Sequence, residues 1–247
     1  MHFGSLRRTA PISRSFGYDR GPQSVARYYI DEFVRRWASD IHGRVLEIGD
    51  NRYTRRFGGD RVLQSDVLHV RSDNPAATIV ADLTNAEHIP SNAFDCLIIT
   101  QTLQHTYDIR PAVRTLHRIL KPNGILLATF SGISQIARRD MELWGECWHF
   151  TTLSTERLLE QAFRPGAVQV EAHGNVLAAI ALLHGLASHE LRKEQLDMQD
   201  PDYQVHRYSP SDKERVKACL LRGCQRVSER LFRITGREDR AAVRQAP

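Results

Sequence analysis

The stretch Arg44–Asp50, RVLEIGD, reads as a buried β-strand that closes on an acidic residue and a glycine, with Glu47 and Gly49 at its carboxyl edge. In open α/β sheets ligands bind beyond the carboxyl ends of the strands, where a glycine lets backbone come close to a cofactor. The dinucleotide pattern GxGxxG is not met, because Asp50, Asn51 and Arg52 follow Gly49 and the next glycines are Gly58 and Gly59. A pyrophosphate cradle is therefore disfavoured.

Outward from this strand, further apolar runs recur. Arg61–Val67 (RVLQSDV) reads as a second strand ending near Asp66, and Ala77–Leu83 (ATIVADL) as a short third ending near Asp82. Phe94–Thr100 (FDCLIIT) is almost continuously apolar, as expected of a central parallel strand covered on both faces. Gln101, Thr102 and His105 follow it. Asp108 is placed to cap a helix through Ala112, Leu116 and Ile119, which Lys121–Gly124 stops before the strand Ile125–Phe130. Strand and helix alternate in the pattern of a doubly wound parallel sheet.

The flanks carry their own signals. Residues 1–23 form an N-terminal arm ending in the turn Asp19-Arg20-Gly21-Pro22. From Ser24 a helix places Val25, Tyr28, Tyr29, Phe33, Val34 and Trp37 on one face, and Tyr28 and Tyr29 read either as packing groups or as substrate contacts on a lid. The cluster Trp144–Phe150 puts Trp144, Trp148, Glu146 and His149 beyond the fifth strand, either as an aromatic-walled substrate pocket with a proton acceptor or as a plug that anchors a loop. A short helix from Thr151, a strand over 168–172, an apolar segment through Leu191 and an edge strand over 204–208 complete a domain spanning 24–210.

Residues 211–247 change character. They hold ten of the 34 Lys and Arg and five of the 29 Asp and Glu, leaving 24 of each sign in 1–210, so the whole net charge of +5 lies in this segment. Val216, Leu220, Cys224, Val227, Leu231 and Ile234 recur at helical spacing among basic residues, which predicts a basic amphipathic helix. It docks on its own domain, on a second subunit in a homodimer, or on an anionic membrane surface. The neutral body argues against a nucleic-acid substrate. No signal peptide or membrane-spanning run is evident, the four cysteines show no CxxC pair, and no metal-ligand spacing stands out, so the expectation is a cytoplasmic protein without a metal.

Taken together, VLEIG, SDV, ADL, FDCLIITQTLQH and LKPNGILLATF resemble the class I methyltransferases that use S-adenosylmethionine, over roughly residues 20–208. The segments DRGPQSVARYYIDEF, WGECWHFT, HGNVLAAIALLHGLASHEL and DPDY look like a bacterial subgroup found beside glycosyltransferase and natural-product genes. The resemblance implies a mostly parallel seven-stranded sheet with its last strand antiparallel, under an N-terminal helix lid. It also implies cofactor contacts from Glu47, Gly49 and Asp50 at the methionine end, Asp66 and Val67 at the ribose, Asp82 and Leu83 at adenine, and Gln101 and Thr102 near the methyl group. His105 and His149 are the candidate bases, and Tyr28, Tyr29, Trp144 and Trp148 the candidate acceptor contacts. The implied reaction is methyl transfer to a hydroxyl or amine of a sugar or secondary metabolite. The alternative is a non-catalytic partner subunit that binds cofactor on the same fold.

Overall fold

The computed structural model describes residues 8–136, 138–164, 166–199 and 215–221; for Arg138, Arg139 and 215–221 only the backbone is described. Five strands of six residues or more come from the body of the chain: β1 (Gly43–Ile48), β2 (Val62–His69), β4 (Phe94–Thr100), β5 (Leu120–Ser131) and β6 (Val168–His173). A two-residue β3 (Ile79–Val80) and β7 (Arg215–Leu221) complete the hydrogen-bonded order β3-β2-β1-β4-β5-β7-β6.

Every pairing is parallel. The expected parallel α/β sheet with flanking helices is present, but two expectations are corrected. In place of seven full strands there are six, with β3 reduced to two residues. The final strand, expected to run antiparallel, instead pairs parallel on both sides, Leu126 with Val216 and Val168 with Val216. Within the segment read as a basic helix, 215–221 is a strand, because two waiting ladders outweigh a 3.6-residue pattern. Arg215–Ala218 also alternates polar and apolar, which suits a strand, before the apolar run of residues 219–221. The rest of 211–247 and the edge strand read over 204–208 lie outside the described residues.

The helices explain why FDCLIIT is apolar throughout. Leu97 and Ile99 face a core built with α2 (Ile109–Ile119) and α4 (Thr152–Leu159), while Cys96 and Ile98 face Ile30, Phe33 and Val34 of α1 (Val25–Arg36). Ser24 caps α1 by accepting from the Arg27 N–H, and Thr151 with Ser154 forms a reciprocal capping box on α4. Asp108 occupies the cap position of α2 but makes no capping bond with its side chain. Between β1 and β4 no helix of ordinary length intervenes among the described residues. The β1–β2 link has only the wide-turn segment Thr54–Gly58 and a 3₁₀ turn.

α1 is a core helix rather than a lid. Its amino end packs on α5 (Val176–His184), and residues 12–24 run alongside: the N–H groups of Ile12 and Ser13 donate to the His184 carbonyl at 2.8 and 3.0 Å. Gly185, in the left-handed region at φ +70°, ends α5. A Cβ there would stand 2.2 Å from the Ser13 carbonyl oxygen, so only glycine admits the arm.

Because β7 joins β5 to β6, truncation after residue 210 removes ladders on both sides of it. The truncated chain is expected to lose most of the roughly 5–15 kcal/mol available to a domain, together with the amide-exchange protection of β6. Urea unfolding and hydrogen exchange on the intact and shortened chains measure both; unchanged stability would remove β7 from the sheet.

Candidate active site

The carboxyl edge of β1 is shaped by Glu47. Its side chain is buried and its oxygens accept from the Tyr53 N–H (3.0 Å), the Thr54 N–H (2.8 Å) and the Thr54 hydroxyl (2.8 Å). These donors open the segment that replaces a full helix, so the carboxylate acts as its cap. Burial pushes the Glu47 carboxyl above its ordinary value, and the three hydrogen bonds pull the other way. The sequence reading aimed Glu47 at a cofactor; in this structure its acceptors are spent on the turn.

The same turn is tied to α1. The Tyr53 hydroxyl donates to Asp31 (3.0 Å) and accepts from Arg27 (2.6 Å), and Asp31 accepts also from Arg56 (2.7 Å) and Gln23 (3.0 Å). Gly49 then turns at φ +80°, and a Cβ built there meets nothing within 4 Å. Its N–H donates to the Leu68 carbonyl (2.9 Å), and its own carbonyl accepts from the Asn74 side chain (2.7 Å). The result is fixed backbone facing open space.

Register decides which neighbours share this edge. Ile48 pairs with Leu68, so β2 reaches the level of Gly49 at His69. Asp66 pairs with Leu46 inside the strand and accepts from Arg44 (2.8 Å), Gln64 (3.0 Å) and Thr78 (3.1 Å). It is therefore not at the strand end where the reading put it, and Val67 lies level with Glu47. Asp82 is exposed beyond β3 and holds Thr84 through both its N–H and hydroxyl at 2.8 Å, a turn bond rather than a helix cap. Leu83 is buried in the core. Asp50 pairs with Arg52.

Gln101 and Thr102 do stand at the edge, just past β4. Gln101 turns at φ +47° and donates from its N–H to the Thr129 hydroxyl (3.1 Å), while Thr102 donates to the Thr100 carbonyl (3.0 Å). The next turn, Leu103–His105, lies at the same edge. Facing it is the segment leaving β5, which includes α3 (Arg138–Leu143). The N–H groups of Cys147 and Trp148 donate to the Gln104 carbonyl at 2.7 and 3.2 Å, the Trp148 indole donates to the Thr106 carbonyl at 3.0 Å, and its ring stacks on Tyr107 at 6.1 Å. Trp144 meets His69 edge-on with centroids 5.7 Å apart. Since β5 and β2 flank β4 and β1 in the sheet, this segment is a strap over the ends of both middle strands.

The ionisable groups lie on the turn after β4 and on the strap itself. Burial lowers the His105 ring below its ordinary value, Asp140 partly offsetting it, so the ring is neutral at pH 7. Glu146, also beside Asp140, is raised by burial and lies 4.0 Å from His149. The structure thus brings Gly49, Gln101, Thr102, His105, His149, Trp144 and Trp148 to one edge. It places Tyr28 and Tyr29 elsewhere: Tyr29 bonds the Leu196 carbonyl (2.8 Å) and Tyr28 bonds Asp197, so both are packing groups against α5 and α6 (Lys193–Asp197). His69, Asn74 and Gln104 had no sequence signal, because register and a backbone carbonyl give them their roles. Among the described residues no group of three or more His, Cys, Asp or Glu is arranged to hold a metal, and no helix is long and apolar enough to cross a membrane.

Residues 21–128, from just before α1 into β5, match the family described as a methyltransferase domain. The match covers 108 of the 247 residues, and the cofactor of the class I methyltransferases that the sequence resembles is S-adenosylmethionine. A curated relative, the ubiquinone/menaquinone biosynthesis C-methyltransferase UbiE of Haemophilus ducreyi, is 40% identical over 106 residues, which cover 40% of this chain and 34% of that protein. The chain therefore spans about a third of that relative's length. Among solved structures, a SAM-dependent methyltransferase from Archaeoglobus fulgidus aligns over 54% of this chain and 66% of its own at 12% identity and TM-score 0.43. The N-methyltransferase NodS of Bradyrhizobium japonicum aligns over 53% and 83% at 18% identity and TM-score 0.37.

Glu47→Ala strands two buried N–H donors and is expected to cost roughly 2–4 kcal/mol, read as a lower urea midpoint. Because its folded carboxyl binds a proton more tightly than the unfolded one, Glu47 makes stability fall as pH rises from the ordinary carboxylate value through the raised one. Glu47→Gln is expected to flatten that stretch of the stability–pH curve.

Proposed function

We propose that the protein transfers a methyl group from S-adenosylmethionine to a hydroxyl or amine of a small molecule or glycan, such as a sugar or secondary metabolite. The observation that carries this reading is the open carboxyl edge at Gly49 inside a matched methyltransferase domain, roofed by an aromatic strap.

The residues present fit the cofactor. Gly49 offers backbone with no Cβ in the way, Asp50, Gln101 and Thr102 flank it, and Asp82 lies past β3. A cofactor without pyrophosphate does not need the missing glycines. Asp66 contributes indirectly if at all, since its acceptors hold Arg44, Gln64 and Thr78.

Held at Gly49, Asp50, Gln101 and Thr102, the cofactor would supply a methyl group activated by its sulfonium, with a neutral thioether as the leaving group once an acceptor oxygen or nitrogen takes the methyl. The chain's task is to align that atom, exclude water and take its proton. The strap excludes water. His105, neutral through burial, takes the proton on a ring nitrogen, with the Glu146–His149 pair as second proton acceptor.

A second reading, methylation of carbon, draws support from the UbiE relative. A carbon acceptor would need the same proton acceptor, so the two readings differ in substrate rather than site. The partner-subunit alternative loses much of its motivation, since 215–221 is built into the sheet instead of standing off as an interaction module.

Calorimetry with S-adenosylhomocysteine is expected to give micromolar or tighter binding, weakened at least tenfold by Gly49→Val, which fills the open space and strains φ. Absence of binding to the native protein would end the methyl-transfer reading. With any acceptor that turns over, His105→Gln is expected to lower kcat about 10²–10⁴-fold while the calorimetric affinity for the cofactor product holds.

A further inference from the structure

The turn after β4 carries two polar atoms left unused. Gln104 is 4% exposed; its Nε2 donates to the Gln101 Oε1 (3.2 Å), and its own Oε1 has no hydrogen-bond partner among the described residues. The adjacent His105 Nδ1 is likewise buried and unpartnered among them. Buried polar atoms in folded proteins are nearly always paired, so two on neighbouring residues at a carboxyl edge call for a ligand that brings donors.

An apolar rim begins at the same turn. Tyr107 is 80% exposed, and Trp144 and Trp148 are 40% and 39% exposed, although large aromatic side chains are normally far more covered. Met141 and Leu143 of α3 are exposed beside Trp144 in sequence. Trp148 is bound to the turn twice, through its N–H on the Gln104 carbonyl and its indole on Thr106, so rim and unpaired atoms are held by one set of hydrogen bonds. Exposed aromatic and apolar side chains gathered on one turn and one segment mark a place of binding.

Building on the methyl-transfer reading, we propose that the acceptor is amphipathic. Its hydroxyl- or amine-bearing head donates to Gln104 Oε1 and His105 Nδ1, and an apolar chain attached to that head lies along Trp148, Tyr107 and Trp144. A wholly polar acceptor leaves the rim wet, and a wholly apolar one leaves both buried atoms unmet; a molecule with both parts satisfies both observations. Gln104 is then the residue that selects for a donor on the head, and the strap's aromatic residues select for the chain.

Calorimetric titration of straight-chain 1-alkanols from butanol to octanol into the protein saturated with S-adenosylhomocysteine tests this. Each added CH2 is expected to tighten binding about threefold to fourfold, as for a methylene fully removed from water. The surface variant Trp144→Ala/Trp148→Ala is expected to bring that increment close to one. Gln104→Leu is expected to weaken every member about tenfold with the increment intact, and Gln104→Glu, which keeps an acceptor oxygen, to restore most of the loss. The proposal is overturned by an octanol that does not bind, by a native increment near one, by an increment that survives loss of both tryptophans, or by a Gln104→Leu variant that binds like the native protein. S-adenosylhomocysteine binding on the same samples separates the two readings: if it binds and the alkanols show no increment, only the amphipathic acceptor falls.

Discussion

A buried carboxylate accepting three hydrogen bonds sets the geometry of the site. The chain leaving β1 has no long helix to satisfy its own N–H groups, and it turns under the sheet edge where water is excluded. Without acceptors those donors would oppose the turn. Glu47 supplies them from the strand itself, and the Tyr53 side chain then carries the connection through Asp31 and Arg27 to α1. Two carboxylates, a phenol and two guanidinium groups thus fix the first loop of the domain to the helix that precedes it, leaving Gly49 as open backbone at a defined height above the sheet.

Against that fixed floor the roof is assembled from a different kind of contact. The segment 138–149 is joined to the floor by backbone carbonyls at Gln104 and Thr106 and by ring contacts at His69 and Tyr107, with few buried side chains of its own. Such a region sits at the low-stability end of a protein, where segments that admit and release ligands are found. The floor is held by charge and buried hydrogen bonds; the roof is held by backbone carbonyls and aromatic contacts.

Much of this was legible in the sequence where local pattern and global environment agree. FDCLIIT announced a strand covered on both faces, and Phe94–Thr100 is that strand. The turn Lys121–Gly124 is present too, but embedded in β5: Leu120 pairs with Phe94 and Ile125 with Cys96, so the turn is accommodated opposite the single residue Asp95. Misreadings arose where a distant partner decides. Asp66 looked like a strand end until its register against Leu46 placed it inside β2, and residues 215–221 looked helical until two ladders claimed them. Roles given by backbone atoms, such as the Gln104 carbonyl that holds the strap, leave no trace in residue type at all.

The position of β7 also bears on how the protein is made. β5 and β6 are not hydrogen-bonded to each other but each to β7, so a chain synthesised from its amino end exposes one flank of a twelve-residue strand until residue 221 of 247 has emerged. That flank is a template for pairing with any extended segment nearby, including one from a neighbouring nascent chain. Closing it requires an encounter between residues roughly ninety positions apart in sequence, which slows folding relative to a sheet laid down in chain order. The half of the domain around β1, β2 and β4, with the open edge at Gly49 and the Glu47 turn, is complete long before then, so the floor of the candidate site exists in the growing chain well ahead of the strand that seals its far side.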